Sequence, residues 1–179
     1  MATLDGKVAI VTGGGTGIGR ATAILFAGEG ARVVVFGRRP EPLADVVDTI
    51  VKAGGQASAV SGDVASEADV ERLVAAATRD HAGVDLLVNS AAVRLRSALI
   101  DISAADFAEV LRINLVGAFV LTKTVVAAMR ARDGGSIIQI GSALGTVAAP
   151  DFSPYVASKG GLHQFALAAA VELVQDEIR

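Results

Sequence analysis

Cysteine and tryptophan are absent from this chain, and 179 residues include only one tyrosine and two histidines. Without cysteine there are no disulfides, thiolate metal sites or thiol nucleophiles. His81 and His163 are too few for a histidine-based zinc site, so no metal is expected. A charge excess of one sign is also missing. Sixteen Lys and Arg stand against 19 Asp and Glu, for a net charge of −3. No basic run breaks that balance, so neither nucleic acid nor an anionic membrane is the expected partner. No uninterrupted apolar run approaches bilayer length. The segment from Met1 to Lys7 carries Asp5 and lacks an apolar signal core. The expected setting is the cytoplasm.

Apolar residues make up 52% of the chain and charged residues 20%. That is the balance of a globular protein, and residues 1–179 are long enough for one domain with a full core. Short apolar runs alternate with helical patterns. Val8 to Val11, Val33 to Phe36, Leu86 to Val88 and Ile137 to Ile140 read as strands. Their near-continuous apolar character suits strands covered on both faces. Ala57 to Val60 is a weaker strand candidate.

Leu43, Val46, Val47, Ile50 and Val51 repeat at helical spacing between Pro42 and Gly54-Gly55. Ser66-x-x-Asp69 resembles a capping box, with Val70, Leu73, Val74 and Ala77 following and Gly83 closing. One long helix is expected from about Asp106 to Arg132, and another from about Pro154 to the end. The alternation predicts an α/β fold with a doubly wound parallel sheet, Rossmann-like in kind.

The first strand runs into Thr12-Gly13-Gly14-Gly15-Thr16-Gly17-Ile18-Gly19 and then a helical stretch. A strand-to-helix turn without side chains lets the backbone approach a pyrophosphate, and the helix N-terminus supplies free N–H groups and a positive dipole. A plain flexible turn is the alternative. The commonest dinucleotide fingerprint is not matched, since it would need glycine at Ile18 or Thr22. A phosphate-loop NTPase is excluded, because Gly19 is followed by Arg20 rather than Lys and Ser or Thr.

Tyr155 and Lys159 lie four residues apart, about one helical turn, so phenol and ammonium share a face. A free phenol ionises near pH 10, and moving that to neutrality needs roughly 4 kcal/mol. A unit charge about 4 Å away at an effective dielectric near 20 is worth roughly that much. Such a pair is suited to moving a proton to or from an alcohol oxygen.

The spacing Thr-Gly-x3-Gly-x-Gly, with this Tyr-x3-Lys pair, resembles the short-chain dehydrogenase/reductase family over nearly the whole chain. The resemblance implies a cofactor loop at Gly13, Gly15, Thr16, Gly17, Ile18 and Gly19, with Asp63 and Val64 at the adenine. Asn89-Ser90-Ala91-Ala92 matches the family's Asn-Asn-Ala-Gly segment in part, and Asn89 would face the cofactor. Asn114, Ser142, Tyr155 and Lys159 occupy the positions of its catalytic set. By that resemblance Ser142 holds the substrate oxygen, Lys159 contacts the nicotinamide ribose and Asn114 positions a water.

Cofactor choice is read at the end of the second strand, where an acid accepts the ribose of NAD and arginine accommodates the 2′-phosphate of NADP. Here Gly37-Arg38-Arg39 follows, with no carboxylate before Glu41. NADP is expected over NAD, through Arg38 and Arg39. Two solvated arginines at a strand end are the alternative.

Arg94 and Arg96 read as surface residues near the substrate mouth, Asp151 and Phe152 are better placed to touch substrate, and His163 is assigned no role. The expected reaction is hydride transfer between NADP(H) and a small secondary alcohol or ketone, in a homo-oligomer. A nucleotide-binding or oligomerisation module without turnover is the alternative. A nucleotide-sugar epimerase fits the glycine spacing less well.

Two departures from the family carry expectations. Ala92 stands where the family has glycine and would be strained at a positive φ. The family also continues with two further strands beyond the last residue here. The Ile137 strand is therefore expected to form an open apolar edge, and the chain to be the cofactor half, with catalytic residues, of a longer enzyme.

Overall fold

A computed structural model describes residues 2–179. Five parallel strands form one sheet in the order β3-β2-β1-β4-β5. They are β1 Val8–Thr12, β2 Arg32–Gly37, β3 Gln56–Ser61, β4 Leu86–Asn89 and β5 Ser136–Gln139. Strand order reverses between β1 and β4, and ligands of open α/β sheets bind outside the carboxyl ends at such a switch point. The weaker strand candidate is real: β3 pairs with β2 from Arg32↔Gln56 to Gly37↔Ser61. It lies at the sheet edge, which explains its mixed apolar pattern.

Successive strand residues face opposite sides. Ile10, Val34, Phe36 and Leu87 join one buried cluster, while Ala9, Val11, Val33, Val35 and Val88 join the other. The first is covered by Leu73 and Ala77 of α3 (Glu67–His81) and by Leu121 and Met129 of α5 (Gly117–Arg130). The second is covered by Ala23 and Ala27 of α1 (Gly17–Gly28) and by Leu43, Val46 and Ile50 of α2 (Pro40–Lys52). Burial on both faces accounts for strands without polar alternation.

The capping box before α3 is half formed. Ser66 Oγ accepts from the Asp69 amide at 3.3 Å, but the Asp69 carboxylate accepts from the amide of Asp63 at 2.9 Å. The left-handed cap is Ala82, at φ 68°, one residue before the expected Gly83.

The long helix expected from Asp106 is not uniform. It comprises α4 (Ala104–Leu111), one wide π turn over Arg112–Val116, and α5. Wide turns of this kind accompany functional sites; here the turn carries Asn114, whose amide reaches the main chain of Val93. By length and composition Ala104–Arg130 is long and apolar enough to cross a membrane, contrary to the expectation from sequence. Half of its apolar window is buried in the protein, with Val120, Leu121, Val125 and Met129 on the sheet, as in a core helix.

The last helix, α6 (Ser153–Leu173), stops short of the chain end. A short turn at Val174–Asp176 follows, and Ile178 then forms a parallel bridge with Gly135. The Ile137 amide donates to the Arg179 carbonyl at 2.7 Å. Ile178 is buried in the core. The β5 edge is therefore covered at its start and open only further along, at the exposed Ile138, which corrects the expectation of a wholly open edge.

At the opposite end of the sheet from the switch point, Asp85 is 8% exposed and gathers three elements. Its carboxylate accepts from the Val8 amide at 2.8 Å and from the Arg132 fork at 3.0 and 3.1 Å. Lys7 adds a contact at 3.4 Å. Burial works to raise the Asp85 pKa, but Arg132 and the Val8 amide outweigh it and hold the carboxyl below its usual range.

Candidate active site

The carboxyl ends of β1, β2 and β4 open into a cleft of about 690 Å³. Gly13, Gly15, Thr16, Gly17 and Ile18 line it from the turn between β1 and α1, and Arg38 and Arg39 from the end of β2. Asp63 and Val64 line it after β3, and Tyr155 and Lys159 from α6. The sequence places these residues far apart, and the fold brings them into one cavity.

The turn is built for a ligand to approach its backbone. Gly17 has φ 53°, with nothing within 4 Å of where a Cβ would stand. Gly19 lies beneath the cleft, where a Cβ would collide with the Gly13 carbonyl. No side chain caps α1, since Thr16 makes no capping hydrogen bond. The N–H groups of its first turn are left for a ligand at the positive end of the helix dipole. Arg38 and Arg39 are exposed, and among the described residues neither forms an ion pair. A glycine cradle, a free helix N-terminus and unpaired guanidiniums are the donor set that a dinucleotide's phosphates require.

Asp63 is held in place. Its Oδ1 accepts from the Ala65 amide at 3.0 Å and its Oδ2 from Arg112 at 2.8 Å. Burial pushes its pKa up, but the Ala65 amide and the Arg112 guanidinium outweigh that and hold it below the usual carboxylate range. Arg112 also grips Glu109 at 2.7 and 2.9 Å, and this pairing raises the guanidinium pKa further. Sequence reading missed Arg112. Its place at the start of a π turn has no signature along the chain.

Lys159 is 4% exposed. Its ammonium donates to the Ile140 carbonyl at 2.6 Å and stands 5.9 Å from the centre of the Tyr155 ring. Burial holds its pKa below the ordinary lysine value. Ser142 stands slightly apart. It lines a smaller adjoining cavity of about 220 Å³, with Gly141, Lys159 and His163, and its hydroxyl accepts from the Leu144 amide at 3.2 Å. Gly141 and Lys159 border both cavities.

Asn114 and Asn89 lie behind the cleft walls rather than on them. Asn114 is 2% exposed, and its amide is engaged at both ends. Oδ1 accepts from the Val93 amide at 2.8 Å, and Nδ2 donates to the Val93 carbonyl at 2.9 Å and to Ser158 Oγ at 3.0 Å. Ser158, also missed, donates to the Tyr155 carbonyl at 2.8 Å. Asn89 is 5% exposed. It joins a polar chain across three strand ends, accepting from Thr12 at 2.9 Å and donating to Gln139 at 2.8 Å. Gln139 in turn donates to Thr122 at 3.0 Å.

Ala92 lines the cleft without strain, because it is not among the four described non-glycine residues at positive φ. That departure from the expected glycine costs no backbone conformation.

Known proteins resemble the chain in sequence and in fold. Residues 7–179 match the family described as short chain dehydrogenase. An oxidoreductase of Thermotoga maritima is 38% identical over 176 residues, spanning 98% of this chain and 69% of that protein. A 3-oxoacyl-[acyl-carrier-protein] reductase of Synechocystis is 36% identical, over 97% of this chain and 70% of its own length. Among solved structures, a short-chain type dehydrogenase/reductase from Mycobacterium marinum superposes with a TM-score of 0.95 at 32% identity. That match covers 98% of this chain and 72% of the other.

Proposed function

The chain belongs to the short chain dehydrogenase family of NAD(P)-dependent oxidoreductases, and on that premise we propose hydride transfer between NADP(H) and a small secondary alcohol or ketone. The observation that carries this reading is the shared cavity, in which the Tyr155–Lys159 pair meets the glycine turn and the β2 arginines.

In this reading the loop from Gly13 to Gly19 and the α1 N-terminus hold the pyrophosphate. Arg38 and Arg39 meet the 2′-phosphate, and Asp63 and Val64 flank the adenine. Arg112 occupies the carboxylates of Asp63 and Glu109, which leaves Arg38 for phosphate and supports NADP over NAD. Bound there, the nicotinamide supplies the hydride acceptor for an alcohol or the hydride donor for a ketone. Tyr155 takes the alcohol proton in oxidation and returns one to the carbonyl oxygen in reduction. Lys159 stands beside the Tyr155 ring with its ammonium held by the Ile140 carbonyl, and Ser142 holds the substrate oxygen. Asn114 acts by position, locking the Val93 wall to α6.

A homo-oligomer is proposed from the exposed Val116, Phe119, Leu167 and Val171 on the π turn, α5 and α6. A cytoplasmic setting, where reduced coenzyme is replenished, fits the same reaction. The test is titration of the chain with NADPH and NADH, followed by coenzyme oxidation over a carbonyl panel. Saturable NADPH binding with turnover of at least one ketone supports the assignment. Binding without turnover would favour a nucleotide-binding module, and no binding would end the reading.

A further inference from the structure

We propose that Arg94 and Arg96, beside Phe152, form the seat for a carboxylate on the substrate, so that small oxo acids are preferred to neutral ketones. The inference rests on the carbonyl reduction proposed above and names its substrate class.

The segment after β4 leads from the cofactor cleft to this seat. Ser90, Ala91, Ala92 and Val93 line the cleft with Tyr155, and a few residues on, the Ser97 amide donates to the Asp151 carbonyl at 2.9 Å. Within this segment Val93, Leu95 and Ser97 are half-buried, whereas Arg94 and Arg96 are exposed. Alternation of this kind puts both guanidiniums on one side of an extended chain. They lie 5.9 and 5.7 Å from the centre of the Phe152 ring, so one aromatic face gathers two cations. Phe152 is the N-cap of α6 and lies three residues, about one turn, before Tyr155.

Two cations held together just beyond the Val93 wall of the cleft attract an anion. The protein supplies only a loose one. Arg96 Nε is 3.7 Å from Asp151 Oδ2, with the two side chains 72% and 41% exposed. Among the described residues Arg94 has no ion pair. Asp151 is set at φ 67° and leaves one positive charge of the pair uncompensated. A guanidinium fork fits the planar carboxylate in two-point contact.

The test compares a small oxo acid with its methyl ester, using the chain with NADPH. Charged hydrogen bonds of this type predict a kcat/KM preference for the acid of roughly tenfold or more. The preference should shrink as salt rises. An Arg94→Gln/Arg96→Gln double variant should bring the two compounds level, and Asp151→Asn should widen the preference. An ester used as well as the acid, or a preference that survives the double variant, overturns the proposal. If coenzyme binds and no member of the carbonyl panel is reduced, the oxidoreductase reading fails on its own. The seat is then judged by calorimetric titration with hexanoate: binding lost in the double variant supports it, and no binding to the unmodified chain overturns it.

Discussion

Asn114 Nδ2 donates to Ser158 Oγ at 3.0 Å, and this buried hydrogen bond ties the π turn to the helix that carries Tyr155. The same amide holds Val93, on the wall of the cleft, at both its N–H and its carbonyl. Ser158 passes the link on to the Tyr155 carbonyl. By its contacts Asn114 is a clamp between the cleft wall and the helix that carries Tyr155.

Asn114→Ala should therefore leave the half-buried Val93 main-chain groups without their partner and cost about 1 kcal/mol or more of stability. Turnover should fall as well, since the wall and Tyr155 lose their common anchor. Ser158→Ala should lower kcat while affecting stability less. Urea denaturation read beside kinetics separates the two effects, and unchanged stability in Asn114→Ala would contradict the clamp.

Tyr155→Phe removes the proposed proton carrier and keeps the ring over which the Lys159 ammonium sits. Turnover should drop by about a hundredfold or more, with NADPH affinity nearly intact. Stopped-flow reduction alongside coenzyme titration checks both halves, and near-normal rates would rule out Tyr155 as the proton carrier.

Lys159 predicts two pH effects. Burial lowers its pKa, so the alkaline fall in activity should begin below the ordinary lysine value. For stability, a lysine with a depressed folded pKa is penalised while charged. Its destabilisation is greatest below the folded pKa and fades as pH rises through it. Lys159→Met should hence retain or raise the melting temperature near neutral pH while losing turnover, a trade expected at functional sites. A large loss of melting temperature would show that the 2.6 Å bond to Ile140 outweighs the desolvation.

Arg38→Asp should reverse coenzyme preference, weakening NADPH and improving NADH, by replacing a phosphate ligand with a ribose acceptor. Comparison of the two dissociation constants suffices. Equal affinity of the unmodified chain for both coenzymes would sink the NADP assignment.

Asp85 governs acid stability at the other end of the sheet. Its folded pKa is held down, so its contribution is present above the unfolded value of about 3.9 and lost as pH falls through the folded value. Asp85→Asn should cost about 1–3 kcal/mol near neutrality by weakening the charged hydrogen bonds to the partly exposed Arg132. It should also flatten the decline in stability on acidification. Chemical denaturation across an acid series would show whether the slope changes.

Much of this was already written along the chain. Strand identity followed from unbroken apolar runs, because burial on both faces leaves no polar alternation at Val8–Thr12 or Arg32–Gly37. The glycine turn and the Tyr155–Lys159 pair were legible because each is a local pattern set by backbone approach or by one helical turn. Arg112 and Ser158 were not legible, since they act on residues 49 and 44 positions away, and no local periodicity encodes a partner at that range. The π turn at Arg112–Val116 escaped for a related reason. Its mark is the wide backbone hydrogen bond from the Gly117 amide to the Arg112 carbonyl, which no residue type along the chain announces. Likewise the return of Ile178 to pair beside Gly135 is a tertiary outcome, decided by a buried side chain and two main-chain groups that need partners.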